Sequence, residues 1–170
     1  MDVFVLRLDH RSRDKRLTTH CALVARAFGC KGVYYTGERD ESVEKSVEGV
    51  VKNWGGSFFI KHAASWKRVF GGFDGKKAHL TMYGIPFGKK IGAVKKTRGK
   101  LLVVVGGSKV PGAVYAACDW NLGVTNQPHS EAGALAVFLN GLELRPRFEK
   151  PRLRIIPQER GKKIEERGKV

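Results

Sequence analysis

Up to about residue 144 the chain alternates short apolar runs with amphipathic stretches, and no other feature limits its fold so strongly. VFVLRL (3–8) reads as a buried strand, too short for a helix of the usual length. TTHCALVARAFG (18–29) opens on threonines able to cap a helix, spaces Ala22, Leu23, Ala27 and Phe28 helically, and stops at Gly29. GVYYT follows as a strand. In ESVEKSVEGVVKNWGG (41–56), Val43, Val47, Val50, Val51 and Trp54 form one stripe that Gly55 and Gly56 end. SFFIK, the amphipathic SWKRVF and KAHLTMYG (77–84) continue the series as strand, helix and strand. From LLVVVGG (101–107) the order repeats: a helix begins near Pro111, a strand covers NLGVT, and a last helix covers SEAGALAVFLNGL. Alternation of this kind predicts an α/β fold, a mostly parallel sheet with helices on both faces. Such sheets take their ligands at the carboxyl ends of the strands.

After Leu144 the pattern breaks into a basic, proline-punctuated stretch with prolines at 146, 151 and 157. The division is therefore a domain over residues 1–144 and a C-terminal extension over 145–170. The extension is expected to hold an edge strand or hairpin around Leu153–Ile156 and a mobile basic tail after Gly161.

Charge narrows the partner. The 170 residues hold 32 Lys and Arg against 16 Asp and Glu, a net charge of +16, while 42% hydrophobic content keeps the chain among folded proteins. The layout is uneven: residues 67–100 carry ten bases and only Asp74, and residues 38–48 carry five acids and two bases. A folded chain so basic calls for a polyanion. Cys21, Cys30 and Cys118 have neither disulfide-framework nor zinc spacing, so no metal is expected and the thiols read as small core residues. No apolar run approaches the roughly eighteen residues of a membrane span. MDVFVLRLDHR reads as a strand and loop, not a signal peptide, and the expected compartment is a reducing cytoplasm.

Three loops at strand ends stand out, YGIPFG, GGSKVPG and TNQPHSE. None carries a phosphate-loop or dinucleotide fingerprint, and Gly106-Gly107 alone would be only a tight turn. The stretch VTNQPHSE holds more hydrogen-bonding groups than a connector needs, since one cap from Asn126 or Ser130 would suffice. Arg7, Arg11, Arg13, Lys15 and Arg16 put five cations in ten residues at a strand end, a density that fits phosphate contacts as well as surface solubility. His20 can meet RNA or close a helix end. His129 can serve as a base, a helix cap or part of a ligand's edge.

Taken together, LRLDHRSRDKRLTTHCALVARAFG, HLTMYG, VVVGGSKVP, NQPHSEAGALAVFL and RIIPQERGKK resemble the archaeal tRNA 2'-O-methyltransferases of the SPOUT superfamily that modify cytidine 56 in the T loop. The resemblance spans about residues 3–165. It implies a C-terminal trefoil knot, a homodimer, tRNA as partner, and S-adenosylmethionine held largely by main chain. Carried over by position, the cofactor contacts would be Leu80, then Gly106, Gly107, Ser108, Lys109 and Val110, then Val124, Thr125, Asn126, Gln127, Pro128, His129, Ser130 and Glu131. The sequence departs from the pattern at Ser108, where relatives have an acid, and at Thr125, where they have glycine. The superfamily's arginine on the first helix would be Arg26, gripping an RNA phosphate and polarising the 2'-hydroxyl. Two other classes stay open on residues alone: a catalytically silent RNA-binding protein, and a small-molecule methyltransferase or nucleotide enzyme.

Overall fold

The computed structural model describes residues 1–107 and 109–167. Six strands form one sheet: β1 (Asp2–His10), β2 (Gly32–Gly37), β3 (Phe59–His62), β4 (Lys76–Pro86), β5 (Lys100–Val105) and β6 (Trp120–Gly123). Their order is β3-β2-β1-β5-β4-β6, and every pairing is parallel. The helices are α1 (Lys15–Ala27), α2 (Glu41–Trp54), α3 (Trp66–Gly72), α4 (Ile91–Lys95), α5 (Gly112–Ala117) and α6 (Glu131–Leu142).

Both faces of the sheet are covered, as the uniformly apolar strands require. Along β5, Leu101, Val103 and Val105 enter the core beneath α1, α2 and α6, whereas Leu102 and Val104 enter a second cluster with Leu6, Leu8 and residues of α3 and α5. Alternate side chains of a strand point to opposite faces, so a central strand must be apolar throughout. The same alternation puts residue 7 of β1 on the face of Val3 and Val5.

Strand order also locates the switch point. The chain leaves β1 toward β2 on one side, and leaves β5 toward β6 on the other, so adjacent β1 and β5 open a crevice at their carboxyl ends.

Several boundaries differ from the sequence reading. Helix α1 starts at Lys15, so Thr18 is no cap: it is fully buried and its Oγ1 lies 2.8 Å from His10 Nδ1. His20 is accordingly within the helix, not at its start. Strand β4 runs on to Pro86, past the expected end at Gly84. The short α4 lies in a basic stretch whose apolar pattern is too brief to read. The tail expected to be mobile after Gly161 instead contains β8 (Lys163–Glu166), which pairs antiparallel with β7 (Leu153–Ile156). Before this hairpin, residues 145–151 cross the amino-terminal edge of the sheet. There Gly55, at φ 74°, packs against the Glu149 carbonyl, and Gly56 N–H donates to that carbonyl at 3.0 Å. A side chain at position 55 would be strained and would collide with that backbone.

Candidate active site

At the carboxyl edge the site is built from an interruption in β4. Leu80, 7% exposed, still pairs with Val105 of β5 and Leu122 of β6; the ladder then shifts register and rejoins β6 only at Ile85 and Pro86. Thr81–Gly84 thus bulge over the strand ends. Gly84 lies so close to β6 that a Cβ would stand 2.6 Å from the Asn121 carbonyl oxygen. Asn126 pins the segment after β6 to this bulge, its Nδ2 donating to the Met82 carbonyl at 2.6 Å and the Gly84 carbonyl at 3.1 Å. Thr81 Oγ1 and Tyr115 Oη, 3.1 Å apart, tie α5 to it as well.

Leu80, Gly106, Gly107 and the segment from Val124 to Glu131 therefore converge at the ends of β4, β5 and β6. Val124 packs against the core, while Thr125, Asn126, Gln127, Pro128, His129 and Ser130 are exposed. Val110 packs against the Leu8 cluster and Lys109 is exposed. Ser108 lies outside the described residues. Ser130 caps α6, accepting from Gly133 N–H at 3.1 Å, and Glu131 opens the helix where its dipole favours an acid.

The basic loop after β1 reaches the same edge. The Ser12 N–H donates to Glu38 at 2.8 Å and the Ser12 hydroxyl to the same oxygen, which fixes a short 3-10 turn over Ser12–Asp14. Those two hydrogen bonds hold the Glu38 carboxyl below the usual carboxylate range. Arg11, Arg13, Lys15, Arg16 and His20 are all exposed along this turn and the start of α1.

Arg7 is not part of that surface. It is 1% exposed, donates through Nη1 to the Leu8 carbonyl, and holds Nη2 3.8 Å from Glu131 Oε1. Expectation of an RNA contact fails because residue 7 points inward, under Gly107 and toward the start of α6. Sequence could have flagged it: an arginine on the inward face of an apolar strand is buried and needs a partner.

Arg26 lies in the last turn of the first helix, as read from the sequence, at the far end from the loops of the carboxyl edge. Helix α1 runs back across the sheet from the carboxyl edge, so position 26 falls at the amino edge, about 16 Å along the axis from Lys15. Within its own chain it cannot reach the loops at the ends of β4, β5 and β6. Its Nη2 donates to the Gly55 carbonyl at 2.6 Å and its guanidinium lies 4.7 Å from the Phe148 ring centre. Burial lowers its pKa.

Solved structures define the class to which this arrangement belongs. The SpoU methyltransferase AviRb from Streptomyces viridochromogenes, in complex with AdoMet, matches over 83% of this chain and 56% of its own, with TM-score 0.60 and 16% identity. The A. aeolicus TrmH/SpoU tRNA modifying enzyme matches over 83% of this chain and 73% of its own, with TM-score 0.58 and 13% identity. This chain spans little more than half of AviRb, and at such identities the fold alone is shared: the SpoU/TrmH type of α/β methyltransferase fold.

Sequence relatives are more specific. A model of the family described as tRNA ribose 2'-O-methyltransferase, aTrm56, matches residues 54–165. The tRNA (cytidine(56)-2'-O)-methyltransferase of Archaeoglobus fulgidus is 54% identical over 168 residues, 96% of this chain and 98% of that protein. Its namesake from Pyrococcus horikoshii is 48% identical over 172 residues, 96% of this chain and 85% of that one. The chain belongs to the aTrm56 family of tRNA ribose 2'-O-methyltransferases.

Proposed function

We propose that the protein transfers the methyl group of S-adenosylmethionine to the ribose 2'-oxygen of cytidine 56 in tRNA. One observation carries this reading: 54% identity over 96% of the chain to an enzyme named for that reaction. The residues at the carboxyl edge suit it. Gly107, with no atom nearer to its Cβ position than the Arg7 guanidinium at 3.8 Å, and exposed Thr125–Ser130 offer peptide groups outside any helix or strand, a donor and acceptor set that fits an adenine edge and a ribose. Leu80, Gly106, Gly107, Lys109, Val110 and residues 124–131 would hold the cofactor, which supplies an electrophilic sulfonium methyl. The Arg7–Glu131 contact fixes the start of α6 beneath these loops. Arg11, Arg13, Lys15, Arg16 and His20 bind the RNA backbone and present the ribose. His129, exposed within the cofactor loop, takes the proton of the 2'-hydroxyl.

Two further features of the family fit the chain. The β5–β6 connection crosses β4 on the α5 face, α6 packs against the opposite face, and Asn126 holds the intervening segment against the bulge, so residues 124–130 are assigned to the threaded part of a trefoil knot. A permutant opened between Gln127 and Pro128 then refolds faster than the wild type; equal rates count against the knot. Helix α6 is apolar around its circumference and leaves Val137 48% exposed, which assigns its outer face to a second copy of the chain. Sedimentation gives a dimer on this reading, and a monomer at micromolar concentration contradicts it.

The reading is tested with methyl-labelled S-adenosylmethionine and an unmodified tRNA transcript. The reaction is run in excess chelator, because the described residues contain no cluster of three His, Cys, Asp or Glu side chains placed to hold a metal. Label mapping to 2'-O-methylcytidine supports it. Tight RNA binding with no cofactor binding would instead identify a silent RNA-binding protein.

A further inference from the structure

A large cavity lies at the opposite edge from the cofactor loops. It measures about 660 Å³ and is bounded by the end of α1, the end of α2 and the crossing segment 145–151. Six cations line it, Arg26, Lys31, Lys52, Arg145, Arg147 and Lys150, against one acid, Glu149. Among the described residues only Lys31 of these six is ion-paired, with Asp2 at 3.7 Å.

Arg26 marks the inner wall. It is 8% exposed and its Nη2 is satisfied by the Gly55 carbonyl, but its buried Nε has no partner. A buried guanidinium with one neutral acceptor and no carboxylate is costly, and the cost falls when an anion enters. Lys52 and Arg147 are exposed at the mouth, so nothing in the fold itself requires their charge.

We propose that this cleft binds backbone phosphate of the substrate RNA, as a second contact remote from the reacting ribose. The inference rests on the reading of the substrate as tRNA. Helix α1 separates the two edges by about 20 Å, its thirteen residues rising 1.5 Å each. Phosphates contacted at both edges must lie about that far apart, a separation that a folded RNA supplies and a single nucleotide or dinucleotide does not. Two surfaces of one sign at opposite ends of a helix fix the orientation of a polyanion, which one surface alone cannot do.

The test is the full-length double variant Lys52→Gln/Arg147→Gln, compared with Lys45→Gln/Lys61→Gln, which removes the same charge from exposed positions elsewhere. Affinity for a tRNA transcript is measured over a salt series, alongside S-adenosylmethionine binding and the single-turnover rate at saturating tRNA. The cleft variant should bind tRNA about tenfold more weakly, with the log–log salt slope reduced by about 1–2. Its cofactor affinity and its rate at saturating RNA should match the wild type. An unchanged slope, or an equal loss in the control variant, overturns the proposal while leaving methylation by the wild type intact. A wild type that does not methylate tRNA fails the functional reading instead. Inorganic phosphate at matched ionic strength is the last arm: if it stabilises the wild type but not the cleft variant, and tRNA affinity is unchanged, the cleft holds free anions and the RNA contact is refuted.

Discussion

Two arginines show how far position along an element decides what a side chain can do. Arg7 and Arg26 are the same chemical group, and both are more than nine-tenths buried. Arg7 sits beneath Gly107 and meets Glu131; Arg26 sits a helix length away and meets a carbonyl and the Phe148 ring. Arg26→Ala therefore acts on stability. Loss of a charge-assisted hydrogen bond and a cation–π stack is worth about 2 kcal/mol, or about 4–8 °C in a chain of this size. Its methylation rate at saturating tRNA should stay within about threefold of wild type. A fall of about 10²–10³ would return the residue to the reacting centre. His129→Ala should do the opposite, lowering the single-turnover rate at saturating S-adenosylmethionine and tRNA about 10²-fold or more with the melting temperature unchanged. An undiminished rate would remove His129 from proton transfer.

At the scale of elements, α2 is where local chemistry is most explicit. Asp40 accepts from the N–H groups of Ser42 at 2.9 Å and Val43 at 3.2 Å and from the Ser42 hydroxyl, and these bonds hold its carboxyl below the usual range. Asp40→Ala should cost about 1 kcal/mol and lower the melting temperature by about 2–4 °C, with Asp40→Ser recovering most of it. An unchanged melting temperature in the alanine variant would mean the cap is idle. The α2 stripe and its stop at Gly55 are legible in the sequence because both lie within one period of one element. The start of α1 is not. Thr18 looks like a cap until β1 brings His10 to 2.8 Å from it, and that contact depends on tertiary structure that no local pattern encodes. Likewise Gly55 reads as a helix stop, but its second role is to admit Glu149, ninety-four residues later.

For the whole molecule, strand order and the buried polar groups set both the site and the response to pH. Burial lowers the pKa of His79, whose Nδ1 lies 3.0 Å from Asn121 Oδ1 while Nε2 has no partner; burial, and secondarily Arg7, do the same to His10. Unfolded histidine takes up a proton near pH 6.5 and these folded sites resist it. Their contribution is thus complete above about pH 6.5 and is lost as pH falls through the lower folded values. Melting temperature should drop from pH 7 to 5, and His79→Gln should flatten that drop; an equal slope in the variant would clear His79 of the effect. The α/β class and the three converging loops were legible from alternation and loop chemistry. The order β1-β5-β4-β6, the shift after Leu80 and the cleft beneath segment 145–151 were not, because each joins parts of the chain that share no period. The central claim is that the reacting atom is the 2'-oxygen of cytidine 56, and the most direct test uses two tRNA transcripts identical except for a 2'-hydroxyl or a 2'-hydrogen at that nucleotide. With methyl-labelled S-adenosylmethionine the hydroxyl transcript should gain one methyl group per molecule and the deoxy transcript none; equal labelling of both would contradict the account.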